Sequence, residues 1–589
     1  MPTKTVIDEG LAHHQAGHLQ AAAACYAEAL RQAPDLFDAL HMLGVLRVQT
    51  GRPDEGAALI ARAIDLSPGV AAAHANLAAA LRLLGRREEA LASLERALAL
   101  DPDQARVQFD RATLLVELGR LDAALAGFDE ALAIAPNFME AHNDRGGALM
   151  ALERPVEALA SFESAIALSP DAAEPHSNRA AALNALDRPE DAIGVCEQAI
   201  TLAPGHAGAH HNLGTALLKL DRPTEALVRF DEAIALAHDL ADARNGRGLA
   251  LHALRRPEEA LASYDAALAL RPDDPQTHFN RAAARLALGD LSGGFDDYRW
   301  RWRLPGARLR LPELPCPLWA GEDLTGKAIL VHGEQGFGDA LQFVRYASPL
   351  ASKAARVTLR VDPALERLFR SVPGVDVATS YDPAAYDFHI PLMDLPRVVG
   401  TTLATIPGAT PYLVADPADV AAWSGRLGAL GPGRRVGLVW AGKSRAHDPA
   451  AFAIDKRRSL RLAQLAPLAT TPGVRFYSLQ KGEPAAEAAE PPPCLDLVDL
   501  TPELADFADT AALIQNLDLV ISVDTSVAHL AGALGKPVWV LSRFDGCWRW
   551  LNGREDSPWY PTARVFHQRI RGDWEEVIAR VAEELSRGH

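Results

Sequence analysis

A four-residue marker returns every 34 positions through the first half of the chain, and a period of that length restricts the fold before any single element is assigned. The marker is a small residue, usually an aromatic or aliphatic one four positions on, Ala three after that and Pro five further along. It reads Ala22-Tyr26-Ala29-Pro34, Gly56-Ile60-Ala63-Pro68, Ala90-Leu94-Ala97-Pro102 and Ala124-Phe128-Ala131-Pro136. It continues as Ala158-Phe162-Ala165-Pro170, Ala192-Cys196-Ala199-Pro204, Ala226-Phe230-Ala233 with His238 in place of Pro, and Ala260-Tyr264-Ala267-Pro272. Small residues let two helices approach closely, the larger one fills the gap between neighbouring units, and Pro ends the second helix. A ninth unit, from about Gln276, loses the marker at Gly294 and closes on the aromatic run Phe295 to Trp302. That run is expected to cap the array by docking on the next domain.

One position of the first helix carries Asn76, Asp110, Asp144, Asn178, Asn212 and Asn280, in six of nine units. Amide side chains can satisfy both the N–H and the C=O of an extended peptide, so a regular ladder of them binds backbone without reading sequence. The other reading is a set of helix-surface polar residues in water. The next position carries Arg111, Arg145, Arg179, Arg247 and Arg281, expected to pair with acidic residues of neighbouring units. The marker, with Leu43-Gly44, Leu213-Gly214 and Arg247-Gly248 on first helices, resembles the tetratricopeptide repeat. That resemblance implies an α-solenoid, a tetratricopeptide superhelix over residues 1–304 with eight full units and a degenerate ninth. Such solenoids hold extended protein segments. The ladder is similar to the asparagine ladder with which the repeat half of eukaryotic O-GlcNAc transferase grips its acceptor, although Asp is mixed in and the first two units lack it.

Past Pro305 the Ala-rich rhythm stops. Leu311 to Gly321 (LPELPCPLWAG) reads as a connector wrapped on the adjoining α/β region. Strand-like runs then alternate with helical ones, the pattern of a parallel sheet. Lys327 to His332, Val357 to Val361 and stretches near Val375 and Phe388 supply one set, with a helix from Asp339 to about Leu350. Residues near Tyr412 to Pro417 are read as a hinge. Arg435 to Trp440, Phe476 to Leu479, Leu497 to Leu500 and the unit Asp518 to Leu541 supply a second set. A last helix, Trp574 to Leu585, is expected to cross back and brace the first lobe. The arrangement is similar to the GT-B architecture of many glycosyltransferases: α/β, two Rossmann-like lobes with a cleft between them, here 305–415 and a donor-binding 416–589. Ligands belong at the carboxyl ends of the strands.

Asp518 to Leu541 (DLVISVDTSVAHLAGALGKPVWVL) is a strand–turn–helix–strand unit. Thr525 or Ser526 can cap the helix, whose first N–H groups and dipole suit a diphosphate. Asp524 and His529 add a carboxylate and an imidazole beside that anion site. In the first lobe, His332-Gly333-Glu334-Gln335-Gly336-Phe337-Gly338-Asp339 is a Gly-rich loop that opens a helix at Asp339. An Asp at a helix start also serves as a cap. Trp440, Gly442, Lys443 and Ser444 form another anion-loop candidate after the second lobe's first strand. Lys456 and Arg458 lie further on in a charged segment that also fits a solvated loop. Trp548, Trp550 and Trp559 fit either a donor-stacking cleft wall or the core.

The pair GFGDALQF (336–343) and DTSVAHLAGALGKP (524–537) resembles the ADP-heptose:lipopolysaccharide heptosyltransferase family. The resemblance implies that Asp339 is the catalytic carboxylate and that Asp524, Thr525, Ser526 and His529 bind a nucleotide sugar, with Lys456 or Arg458 near its phosphates. Gln335, Gly336 and Gly338 are assigned donor contacts with them. Ser526 and Val527 depart from the family's Gly and Pro, so the donor loop is shaped differently and the sugar stays open. Combined with the repeats, this half is similar to bacterial protein glycosyltransferases, including flagellin-modifying ones. The expected reaction moves a sugar to Ser or Thr hydroxyls of a protein acceptor, inverting and without metal, with no cofactor beyond the nucleotide-sugar co-substrate. A tetratricopeptide scaffold with an inactive GT-B domain is the alternative, and a nucleotide-sugar epimerase a third.

A net charge of −17 with no concentrated basic face argues against nucleic acid. Five scattered cysteines form no CxxC pair, which argues against a zinc site or a disulfide framework. No apolar run is long enough to span a bilayer, and the N-terminus does not read as a secretory signal, so a cytoplasmic protein is expected.

Overall fold

The computed structural model describes residues 3–304, 310–334, 336–408, 410–445 and 449–587. The chain divides into two compact units, Met1–Ala237 and His238–His589. The first is built of antiparallel helix pairs, from Thr3–Gln15 with Leu19–Gln32 to Ala207–Lys219 with Pro223–Leu236. Each pair turns on one residue in the left-handed region, and those residues keep the period: Gly17, Gly51, Gly85 and Gly119, then Glu153, Asp187 and Asp221. Glycine adopts this conformation without strain. The later units place a side chain there, so packing around the turn must hold it. Inside each pair the marker works by close approach. A Cβ on Gly10 would lie 2.7 Å from the Tyr26 ring, and one on Gly214 would lie 2.8 Å from Phe230.

A second period is carried by histidines. His74, His142, His176 and His210 each donate from Nε2 to the carbonyl of the Pro six residues earlier, at 2.9–3.1 Å. Those carbonyls belong to the loop after the preceding helix, where no intrahelical donor reaches. The expected arginine pairing is present too: Arg145 binds Asp129 at 2.7 Å and Arg179 lies 3.2 Å from Glu163.

The second unit opens with two more helix pairs, Ala241–Ala253 with Pro257–Leu270 and Pro275–Ala287 with Leu291–Tyr298, and a short turn Arg299–Arg303. Two parallel sheets come after them. Strands β1 (Ala328–His332), β2 (Arg356–Arg360), β3 (Asp376–Ala378) and β4 (Phe388–Pro391) form one in the order β3-β2-β1-β4. Strands β5 (Arg434–Val439), β6 (Val474–Ser478), β7 (Leu497–Asp499), β8 (Leu519–Val523), β9 (Val538–Ser542) and β10 (Ala563–His567) form the other in the order β10-β9-β8-β5-β6-β7. Strands β8 and β9 are buried along their whole length, as expected where helices cover both faces.

The structure corrects three expectations. The first-lobe helix is broken into Phe337–Phe343, a 3-10 turn Val344–Tyr346 and Ala347–Ala351. Strand β10 comes after an aromatic, Pro-rich stretch and is absent from the sequence-based set of strands. Because β10 extends the second sheet, the last helix, Trp574–Ser586, returns along that sheet and not onto the first lobe. Its Trp574, Val577, Ile578, Val581 and Leu585 share a core with Val436, Leu438, Leu462 and Leu465.

The eighth and ninth repeats are packed on the two sheets. Arg571 donates to the Ala253 carbonyl at 3.3 Å, and the Asn552 N–H donates to the Ala287 carbonyl at 2.9 Å. The ring of Phe295 meets Phe343 at 6.0 Å and Trp548 at 5.9 Å, both edge-on. The aromatic cap therefore docks on both lobes, and the second compact unit takes in the eighth and ninth repeats.

Candidate functional site

Strand β8 ends in Asp524 and Thr525, and the helix Ser526–Ala533 starts there. Thr525 occupies the N-cap position with extended backbone, but its side chain caps nothing. Its hydroxyl lies 3.0 Å from the Ser522 hydroxyl instead. The capping role expected from the sequence is thus not taken up, and the helix start keeps N–H groups for an anion.

His529 is not at the surface of that anion site. It is 3% exposed, stacked on Trp550 at 5.0 Å and 15°, with Nδ1 3.0 Å from the Tyr560 hydroxyl. Burial pulls its pKa down to about 3 against the opposing pull of Asp524, so the imidazole is neutral at pH 7. Asp524 accepts a 2.8 Å hydrogen bond from Trp550 Nε1. Burial works against its charge, but the Trp550 N–H, Arg458 and Arg543 outweigh it and hold the carboxyl below its ordinary value.

Asp339 lies in the first turn of Phe337–Phe343, whose start packs on the start of Ser526–Ala533. A Cβ on Gly338 would come within 3.1 Å of the His529 ring and 3.7 Å of Ser526 Cα, so glycine permits the approach of one lobe to the other. Asp339 and His529 thus lie on two helices whose starts pack against each other, one from each lobe. The Asp339 carboxylate pairs with the Arg549 guanidinium, a partner the sequence does not suggest. Gly336 precedes the helix as its N-cap and is exposed, while Gln335 lies outside the described residues.

At the end of β5 the expectation for Trp440 is corrected. Its side chain is fully buried in the second lobe's core and offers no contact to an anion at the loop, because it falls on the sheet face that the last helix covers. The backbone beyond it is pinned by Gln480, whose Oε1 accepts from the N–H groups of Trp440 and Ala441 at 3.0 and 2.8 Å. Gly442 makes room for Arg458: a Cβ there would sit 2.5 Å from the guanidinium. Arg458 donates to the Asp524 carbonyl at 3.1 Å and pairs with Asp455 at 2.7 Å, which brings a cation to the donor-side helix start. Lys456 is exposed on the same helix, and Lys443 and Ser444 are exposed on the strand-end loop.

The Gly-rich loop is tied to the repeat end by an ion cluster. Arg301, 2% exposed, makes two 2.8 Å hydrogen bonds to Glu334 and lies 2.7 Å from Asp394, its guanidinium between the Tyr298 and Trp302 rings. Burial pushes the Glu334 carboxyl up to about 7 against the pull of Arg301.

The ladder residues spend part of their hydrogen-bonding capacity on each other's repeats. Asn76, Asn178, Asn212 and Asn280 each donate from Nδ2 to the residue 35 positions earlier, His41, Asn143, Ser177 and Asn245, at 2.9 Å. Asp110 pairs with Arg106 at 3.0 Å, and Asp144 accepts from Asn143 at 3.2 Å; burial raises both carboxyl pKa values. All six are half-buried.

Residues 7–71, 41–105, 81–143, 143–207, 211–275 and 253–299 match the tetratricopeptide repeat, and residues 459–541 match glycosyltransferase family 9 (heptosyltransferase). The latter match takes in the Asp524–His529 motif and leaves out the Asp339 loop. The chain is 32% identical over 347 residues to Protein FlbA of Caulobacter vibrioides, a match spanning 53% of this chain and 56% of FlbA. The chain thus spans little more than half the length of that relative. Among solved structures it is similar to a tetratricopeptide repeat protein from Parabacteroides merdae, at 18% identity over 42% of this chain and 97% of that one, with a TM-score of 0.38. It is also similar to the tetratricopeptide protein TTC0263 of Thermus thermophilus, at 26% identity over 31% of this chain and 100% of that one, with a TM-score of 0.29. The chain therefore joins a tetratricopeptide-repeat array to a C-terminal glycosyltransferase family 9 domain.

Proposed function

We propose that the protein transfers a sugar from a nucleotide-sugar donor to Ser or Thr hydroxyls of a protein acceptor held by the repeat array, with flagellin as the acceptor to test first. The observation that carries this reading is the meeting of Gly338-Asp339 with the start of Ser526–Ala533, which sets a carboxylate beside an anion-binding helix start. The donor diphosphate lies on that helix start, near Arg458. Those donors offset the charge that grows on the departing nucleoside diphosphate, so the transfer needs no metal. The acceptor O–H gives its proton to Asp339 as its oxygen bonds to the anomeric carbon from the face opposite the leaving phosphate. The result is inversion. No helix among the described residues is long and apolar enough to cross a membrane, and a cytoplasmic site of action, where nucleotide sugars are made, fits the reading. In the array, the ladder's Asn Oδ1 atoms and Asp carboxylates offer acceptors to backbone N–H groups of an extended segment. Intact-mass analysis of candidate flagellar and secreted proteins, in cells with and without the gene, tests the proposal. A sugar-sized mass lost with the gene supports it, and unchanged masses throughout contradict it.

A further inference from the structure

The Asp524 and His529 side chains are turned into protein and away from direct contact with a diphosphate on the helix start. Each polar atom of His529 faces protein: Nδ1 meets Tyr560, and Nε2 lies 3.9 Å from Asp524. One face of the ring is covered by Trp550, and Gly338 approaches its Cδ2 edge. What the motif does hold is Trp550, whose indole is fully buried and donates to Asp524. The residue before Trp550 is Arg549, which pairs with Asp339. The short turn Trp548–Trp550 that carries them is fixed at both ends. Trp548 packs on Phe295 and stacks under the Arg549 guanidinium at 4.3 Å. Leu551, 4% exposed, holds φ +58 directly after the turn, a strained conformation for a branched side chain that only surrounding packing maintains.

We propose that Asp524 and His529 are positioning residues: they clamp the Trp550 indole and so aim Arg549, which engages one oxygen of Asp339 and turns the other toward the acceptor hydroxyl. This rests on the reading of Asp339 as the general base. Binding of the donor's diphosphate falls instead to the N–H groups of the helix start and to Arg458.

The test uses the full-length chain, with calorimetric binding of a panel of nucleoside diphosphates and the rate of mass shift on the acceptor as its two readouts. Trp550→Phe keeps an aromatic ring, smaller than the indole, and removes the N–H. It should leave nucleotide affinity within about threefold of wild type while lowering transfer about tenfold or more, a loss confined to the transition state. Arg458→Gln should weaken nucleotide binding. Arg549→Met should slow transfer, and adding Trp550→Phe to it should slow it little further, because both break the same chain of contacts. His529→Asn serves as a second variant, with its melting temperature showing whether it folds. Equal losses of affinity and transfer in Trp550→Phe, or losses that multiply in the double variant, overturn the proposal. A wild-type chain that binds none of the nucleotides overturns the transferase reading and this proposal with it.

Discussion

The repeat array and the cluster around Asp339 both depend on hydrogen bonds between side chains far apart in sequence, yet they find their partners by different rules. In the array the offset is constant. A ladder amide reaches back 35 residues and a histidine reaches back six, and the same bond recurs in unit after unit. Around Asp339 each bond is made once: Arg549 to Asp339 across 210 residues, Arg301 to Glu334 across 33, Trp550 to Asp524 across 26. Repetition spreads stability over many small, equivalent terms, whereas the unique contacts concentrate it. The array should therefore tolerate loss of any one bond, and the cluster around Asp339 should not.

The largest expected effect is at Arg301. Arg301→Met leaves Glu334 and Asp394 facing each other without their cation, which should cost about 3–5 kcal/mol of stability. Chemical denaturation reads this. Combining it with Glu334→Gln and Asp394→Asn should recover most of the loss, while a cost below about 1 kcal/mol would contradict a buried pair of this kind. The same reasoning predicts that a chain beginning at 305 fails to fold as a soluble domain, since it lacks Phe295, Tyr298 and Arg301.

Acid should act next, and again on the second unit. His529 and His332 are buried neutral, both with pKa values pulled down to about 3, so their contribution is complete above the ordinary histidine value and is lost as pH falls below it. Glu334, pushed up to about 7, works in the opposite sense and is relieved as pH falls. His567, pulled down to about 4 by burial, is lost in the same sense, and three losses against one gain leave a net loss of roughly 2.7 kcal/mol per pH unit below about 6.5. Unfolding midpoints at pH 6.5 and 5 measure it, and equal midpoints would show that these histidines are not held neutral.

The smallest effect belongs to the ladder. Asn178→Ala removes one bond to Asn143 and should cost about 1 kcal/mol. A loss several times larger would mean that the array is as unforgiving as the cluster around Asp339.

Legibility divides along the same line. The helix pairs, their turns and the arginine pairing are readable because a constant offset repeats the signal in unit after unit. The two parallel sheets are readable from apolar runs, except β10, where Trp559, Tyr560 and Pro561 hide the boundary. Pairing of Asp339 with the Asp524–His529 motif comes from resemblance, not from spacing. Arg549, Gln480 and the Arg301–Glu334–Asp394 cluster leave no trace in the sequence, because nothing local distinguishes them from solvated charges. Trp440 misleads for a related reason: a strand-end residue can face the cleft or the core, and only the position of the last helix decides which.

The proposed chemistry turns on Asp339 taking a proton beside a donor bound at the start of Ser526–Ala533. Purified Asp339→Asn, assayed for nucleoside-diphosphate affinity and for sugar transfer, tests it most directly. A general base at this position predicts near wild-type affinity with transfer slowed by about 10²–10⁴-fold. Transfer at the wild-type rate would contradict it.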